Sequence, residues 1–430
     1  MDLLKTLKKI ISSTPLCNRC LGRQFSSLIP SYDNETKGRI LKDFLFMNEK
    51  LEKEGFDRKS LKTFKALAES GHELSQNFIK KNKPGLKISP KPCYICNGEI
   101  NQIINRAIRR IIEESTKVEF DTFYVGLTLP VSLEEKDEKV KSFFKLGFGE
   151  ALKNELNKEI NRSIEKALGK KARMKRPDVV FVYDVVNDKV SMQINSIFLK
   201  SSYRKLVGGI AQTKWRGMDS NDVTPSIEKM LEEILLPVFK GKKLKFHGAG
   251  REDVDVKMLG SGRPFIVEIL EPKVRNVNLN DLHLEFNSKF GSMVEVSPFT
   301  KASYLDVPRL KMEAERKKKT YRVVFETERE ISEEELRDLS EKLTGCLIRQ
   351  RTPLRVLKRR GDRVRKKMVY QALFKRLGNN RYEAIVTCSG GLYVKELLHG
   401  DEGRTVPSVA GLLDTKVKIV EMEVTGIEGG

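Results

Sequence analysis

Phe246-His247-Gly248-Ala249-Gly250-Arg251-Glu252-Asp253-Val254-Asp255-Val256-Lys257-Met258-Leu259-Gly260 packs three acidic side chains, two basic ones and three glycines into fifteen residues. Residues 242–245 read as the end of one strand and residues 265–270 as another. A Gly-rich turn with an Arg and a carboxylate between two strands places a charged pair at the rim of a sheet. Alternation in an extended segment puts Asp253 and Asp255 on one face, so this stretch offers several carboxylates for chemistry.

The rest of the chain supplies the setting. At 430 residues it is long enough for two or three domains. It carries 81 Lys and Arg against 59 Asp and Glu, a net charge of +22. A chain so far from neutrality is usually held near a polyanion, and nucleic acid is the commonest one. The competing explanation is a charge-rich surface of the heat-adapted kind. No run approaches about 18 apolar residues, so no membrane span is expected. The N-terminus MDLLKTLKKIISS has helical spacing broken by lysines, unlike a signal peptide. Together with six cysteines in a long chain, this argues for a reducing cytoplasm.

Four of those cysteines form two matched pairs, Cys17-Asn18-Arg19-Cys20 and Cys93-Tyr94-Ile95-Cys96, with 72 residues between them. Each CxxC brings two thiolates to one tetrahedral ion from a tight turn, eased by Gly22 or Gly98. The expectation is one closed, structural Zn²⁺ site, although compact ribbons use only about 15–20 residues between pairs. Residues 36–55 and 60–80 are helical, with Leu41, Phe44, Leu45 and Leu51 as core and His72 as an ordinary histidine. Helix 100–117, strand 120–129, a charged helical block 133–168 and strands at 177–183, 189–194 and 197–199 follow. That order suggests an α/β module, with basic loop pieces at Lys170-Lys171 and Arg173-Met174-Lys175-Arg176. Residues 217–223 read as a linker, and Thr224-Pro225 as the N-cap and first position of a helix. The expected domains are 1–215 and 222–430.

Three further segments belong with the opening stretch. Residues 317–325 are a basic run entering an alternating strand, with Tyr321, Val323 and Phe325 on one face. From Arg351 to Arg376 there are eleven Lys and Arg against one Asp, a stripe suited to tracking phosphates without reading sequence. Ser389-Gly390-Gly391-Leu392-Tyr393-Val394-Lys395-Glu396 brings a strand to two glycines and then a short helix. His399 there reads as a cap or a space-filler as readily as a catalytic group.

The segments GAGREDVDVKMLGSGRPF, TKWRGMDS, QRTPLRVLKRR and GLYVKELLHGDEGRTVPSV together resemble the archaeal-type tRNA pseudouridine synthases, which isomerise uridines 54 and 55 of the TΨC arm. The resemblance covers nearly the whole chain, including both CxxC pairs and a THUMP-like region. It implies an α+β fold: an elongated two-part monomer with a zinc-binding, THUMP-like RNA-binding α/β domain and a catalytic domain. The latter would be built on a mixed, mainly antiparallel sheet flanked by helices.

Residue by residue, the resemblance implies that Asp253, in the G-R-x-D pattern on Gly250–Asp253, is the catalytic aspartate, with Tyr321 stacking on the target base. Val394 and Lys395 match the apolar-basic motif, although that apolar residue is often Ile or Leu, and Met422 stands where others have Leu. Arg251, Lys257, Arg351, Arg355, Arg359, Arg360 and Arg404 are expected to grip the tRNA, and Cys17, Cys20, Cys93 and Cys96 the zinc, with no organic cofactor. The chemistry suits these residue types. One carboxylate serves as nucleophile or base, a nearby cation favours its charged form, and an aromatic ring receives a flipped base.

Two rival readings compete. One is a Mg²⁺-dependent nuclease or phosphotransferase with Glu252, Asp253 and Asp255 as ligands. The other is a non-catalytic zinc-containing tRNA- or RNA-binding protein. A THUMP-type methylase or thiolase would need a Gly-rich strand–helix nucleotide loop, which the sequence does not show.

Overall fold

The structure, a computed structural model, describes residues 2–28, 30–51, 57–214, 225–358 and 360–428. The chain divides into two compact units, Met1–Asn195 and Ser196–Gly430.

The first unit joins a helical part to a small sheet. Helix Leu3–Ser13 buries Leu7, Ile10 and Ile11, the face that its spacing marks. Helices Asn18–Gln24 and Asn34–Leu51 cross at two glycines: a Cβ on Gly22 would lie 1.9 Å from the Asn34 carbonyl oxygen, and one on Gly38 1.8 Å from that of Asn18. Gly22 therefore serves close helix packing rather than the turn after the CxxC. Gly98, at φ +85°, does take the turn role. Of the expected core residues, Leu41 and Leu45 are buried, whereas Phe44 and Leu51 are exposed and Phe46 is inside instead. The stretch expected as one helix over 60–80 is two, Arg58–Glu69 and Glu73–Asn82, separated at Gly71 with φ +83°. His72 there is structural, bonded to Asp43 at 2.9 Å and Ser75 at 2.7 Å.

The sheet of this unit has strands β1 (Thr122–Thr128), β2 (Lys171–Ala172), β3 (Val179–Asp184) and β4 (Lys189–Ile194) in the order β2-β1-β3-β4, antiparallel only between β3 and β4. Helices Ile100–Ser115 and Leu152–Leu168 pack on it with apolar stripes such as Ile103, Ile104, Ala107 and Ile111. The charged block is two helices, Val131–Phe144 and Leu152–Leu168.

The second unit is organised on one large sheet. Its strands are β5 (Ile197–Lys205), β6 (Lys243–Gly248), β7 (Lys257–Leu270), β8 (Val294–Val296), β9 (Thr300–Ala302), β10 (Lys318–Thr327), β11 (Leu347–Arg351), β12 (Val364–Gly378), β13 (Arg381–Ser389), β14 (Thr405–Val406) and β15 (Val417–Glu428). The order is β14-β11-β12-β13-β10-β15-β7-β5-β8, with β6 on β7 and β9 on β5. Every pairing is antiparallel except the short parallel contact of β15 with β7. The sheet is thus mixed and mainly antiparallel, flanked by helices such as Ile227–Phe239 and Glu333–Leu343.

The first domain was expected to run through residue 215, with 197–199 in its sheet. The structure moves this boundary: β5 pairs with β7, Ile197 opposite Ile269 and Tyr203 opposite Arg263. Its side chains Leu199 and Tyr203 join the second core. The expected linker 217–223 and Thr224 lie outside the described residues. Helix Ile227–Phe239 is capped by Ser226, whose side chain accepts from the Lys229 amide. No described helix is long and apolar enough to cross a membrane.

Candidate active site

β6 delivers the chain to Gly248, and the Ala249 amide bonds the Pro264 carbonyl at 2.9 Å, turning the loop over β7. Gly250 follows at φ +84°, where a Cβ would stand 2.9 Å from Arg263 Nη1 and 3.2 Å from Lys319 Nζ. Only glycine suits that backbone and that space. The next residues are pinned from both sides. The Lys205 ammonium, fully buried, donates to the carbonyls of Ile210, Asp253 and Val254, each at 3.0 Å. The Glu252 carboxylate turns inward, accepting from the Tyr203 hydroxyl at 2.7 and 2.9 Å and pairing with Arg263 Nε at 2.7 Å. Gln212 Nε2 ties Tyr203 to the Gly250 carbonyl, both at 2.9 Å.

With its neighbours so held, Asp253 is aimed outward into a cavity of about 520 Å³. The sheet brings the rest of the wall. Met258 lies opposite Val424, and Val424 opposite Tyr321, so the loop stands beside β10 across one intervening strand. Tyr321, Leu392, Val394, Lys395 and Met422 line the same cavity, with Arg251, Arg355, Lys358 and Arg360 among the cations around it. Val394 is buried at the start of helix Val394–His399. That helix is positioned by Gln350 of β11, which accepts from the Tyr393 amide at 2.8 Å and donates to its carbonyl at 2.9 Å. His399 accepts the Asp401 amide through Nδ1 at 3.1 Å, a cap.

The three carboxylates of the opening stretch go three ways. Glu252 is core, Asp253 faces the cavity, and Asp255 takes Lys395 Nζ on both oxygens, at 2.8 and 2.6 Å. Burial tends to raise the Asp255 carboxyl, but the Lys395 ammonium outweighs it and holds it below the usual range. Lys395 lies 3.6 Å from Asp253 Oδ2. A divalent ion shared by all three carboxylates has no support in this arrangement, and among the described residues the group able to hold a metal is the cysteine cluster.

Beneath the site, burial pushes Tyr321 upward, lowers the Lys319 ammonium to about 8 with help from Arg263, and raises the Cys388 thiol to about 12. Low dielectric disfavours the charged form of each.

The expected RNA-gripping residues divide. Arg251 is exposed at the rim, and Arg360 Nη1 donates to the Tyr393 hydroxyl at 3.0 Å. Arg351 pairs with Asp362 at 2.7 Å, and Arg404 reaches Asp362 at 2.7 Å and the Thr352 carbonyl at 2.7 Å, so both close the loop 352–363. Lys257 pairs with Glu421 at 2.6 Å and Glu423 at 3.4 Å. Arg355 donates from Nη1 to Asp253 Oδ1 at 3.0 Å and from Nε to Glu396 at 2.6 Å. Arg359 lies outside the described residues.

No sequence motif marks Tyr203, Lys205, Gln212, Arg263 or Gln350, and Glu396, named on the short helix, carries no expected role. The available signal was polarity out of place: Arg263 stands fully buried two residues before the apolar run Phe265, Ile266 and Val267 of the same strand.

In the first unit the ligand atoms of Cys17, Cys20, Cys93 and Cys96 lie within 4.8 Å of one another, all four as free thiols. Cys17 and Cys96 are 3.7 Å apart, close to the roughly 3.8 Å that Zn–S bonds of about 2.3 Å impose on a tetrahedron. The donor set and spacing fit a closed zinc site.

The family model described as Pus10, C-terminal, matches residues 198–428, and the archaeal Pus10 THUMP domain matches residues 108–184. The chain belongs to the Pus10 family. The tRNA pseudouridine synthase Pus10 of Thermofilum pendens is 33% identical over 425 residues, covering 99% of this chain and 95% of that protein. Those of Thermosphaera aggregans and Methanocaldococcus jannaschii are each 34% identical, covering 99% and 97% of this chain and 97% and 93% of their own lengths. The α+β architecture, the THUMP region and the assignment to tRNA-modifying isomerases agree with the expectation from the motifs. The family match also opens inside β5, on the second-unit side of the boundary at residue 195.

Proposed function

We propose that this protein converts uridine to pseudouridine at positions 54 and 55 of the tRNA TΨC arm, with Asp253 as the catalytic carboxylate. The observation that carries the reading is the convergence of Asp253, Tyr321, Val394 and Lys395, from segments far apart in the chain, on one cavity of about 520 Å³. The N1–C1′ bond breaks, the uracil turns, C5–C1′ forms, and the C5 proton leaves as N1 regains one. No redox change or energy input is involved. Asp253 acts on the sugar or the ring, Tyr321 stacks on the flipped base, and buried Val394 keeps water out while the ring rotates. Lys395 supplies positive charge beside Asp253 and Asp255. Arg251 and Arg360 meet phosphates at the rim, while Lys257, Arg351 and Arg404 add charge from positions fixed by carboxylates.

Cys17, Cys20, Cys93 and Cys96 hold a structural zinc ion, which secures the RNA-gripping first unit and takes no part in the reaction. The protein works as a monomer in the cytoplasm, where unpaired thiols persist. The test is an unmodified tRNA transcript incubated with the protein alone and mapped for pseudouridine. Modification at 54 and 55 is expected; modification confined to other positions contradicts the target, and none at all contradicts the enzyme.

A further inference from the structure

We propose that Arg355 is a positioning residue for Asp253, held in turn by the buried carboxylate of Glu396, rather than a phosphate contact. This rests on the reading of Asp253 as the reacting carboxylate. Arg355 belongs to the basic stripe that begins at Arg351, which as sequence reads as a phosphate-tracking surface. Its geometry is different. Nη1 donates to Asp253 Oδ1 at 3.0 Å, Nε to Glu396 Oε1 at 2.6 Å, and Nη2 approaches Glu396 Oε2 at 3.4 Å. All three guanidinium nitrogens are therefore turned to carboxylates. The Glu396 side chain is 1% exposed, and the Tyr393 ring stands 5.8 Å beneath the guanidinium.

Lys395, the basic residue of the family motif, does not make this contact. Its short bonds go to Asp255 at 2.8 and 2.6 Å, and it stands 3.6 Å from Asp253 Oδ2, beyond a charge-assisted hydrogen bond. In the RNA-free protein Arg355 is the group that fixes the rotation of the Asp253 carboxylate. With Oδ1 occupied by Arg355, Oδ2 is the oxygen offered to the substrate. A planar fork spans two carboxylates at once, which a single ammonium does not do. Glu396 directly follows Lys395, so one helical turn sets both the cation near Oδ2 and the anchor of the cation on Oδ1.

The experiment measures, for the full-length protein, tRNA affinity and the single-turnover rate of pseudouridine formation at saturating enzyme. Arg355→Met should lower the saturated rate about 100-fold, the scale of a misplaced reacting group, while leaving tRNA affinity within about threefold. Arg355→Lys should remain at least about tenfold slow, because one ammonium reaches only one carboxylate. Glu396→Gln should slow the reaction in the same direction; should that buried substitution unfold the protein, the two variants at half-exposed Arg355 decide alone. An Arg355→Met protein with the wild-type saturated rate and weakened tRNA binding overturns the proposal and makes Arg355 a phosphate contact. Full rescue by Lys overturns the bridging role. An inactive wild type would instead bring down the synthase reading, and this proposal with it.

Discussion

Arg263 and Glu252 pair at 2.7 Å with side chains only 1% and 2% exposed, directly beneath the loop that presents Asp253. The pair, with Tyr203, makes Glu252 part of the foundation. Removing one partner of a buried ion pair leaves an uncompensated charge and costs about 3–5 kcal/mol. Glu252→Ala is therefore expected to lose that much in urea unfolding of the protein. A loss below about 1 kcal/mol together with abolished activity would instead place Glu252 in the chemistry.

Lys319 gives the fold a pH dependence of defined sign. Burial lowers it from 10.5 to about 8, so between those values the unfolded chain holds more protons than the folded one. Unfolding free energy should then rise as pH climbs from about 8 to about 10.5. Lys319→Met should flatten this rise in denaturation curves taken across the window, and an unchanged slope would show that Lys319 is charged at no penalty in the fold.

In the proposed reaction Tyr321 is the platform for the flipped base. Stacking on an aromatic ring is worth about 1–3 kcal/mol per base, so Tyr321→Leu should reduce kcat/KM for tRNA by about 5- to 150-fold. A variant indistinguishable from wild type would mean that the base stacks elsewhere.

The cysteine cluster should matter for folding and grip. Stripping the metal, or Cys20→Ser, should lower the thermal unfolding midpoint of the first unit and weaken tRNA binding, because metal-binding free energy is folding free energy at such sites. The saturated single-turnover rate should survive. A metal-free protein of unchanged stability and affinity would show the four thiols to be incidental.

The parts that sequence made legible are those with local signatures. The two CxxC pairs meet, and the G-R-x-D turn, Tyr321 of its alternating strand and the Val394–Lys395 helix line one cavity. What sequence hid was non-local. β5 follows β4 in the chain, so adjacency assigned it to the first sheet, whereas its partner β7 comes many residues later. Strand β7 was expected over residues 265–270, whereas it begins at Lys257 and runs through Gly260 and Gly262. Both glycines are places of close approach, where a Cβ would stand 2.1 Å from the Thr425 oxygen and 2.8 Å from that of Tyr203. Lys395, expected as the basic residue of the motif, makes its short bonds to Asp255 rather than to Asp253. A basic stripe carries no mark of which Arg turns inward, so Arg355 and its anchor Glu396 emerged only from the geometry.

An isomerisation carried out by Asp253 must expel the uracil C5 proton. The most direct measurement is tritium release from a tRNA transcript labelled at uracil C5, with wild type and Asp253→Asn compared at equal tRNA occupancy. Release by the wild type and none by Asp253→Asn, with tRNA affinity preserved, is the expected result. Release by Asp253→Asn at the wild-type rate, or none from the wild type at any salt or temperature, would contradict it.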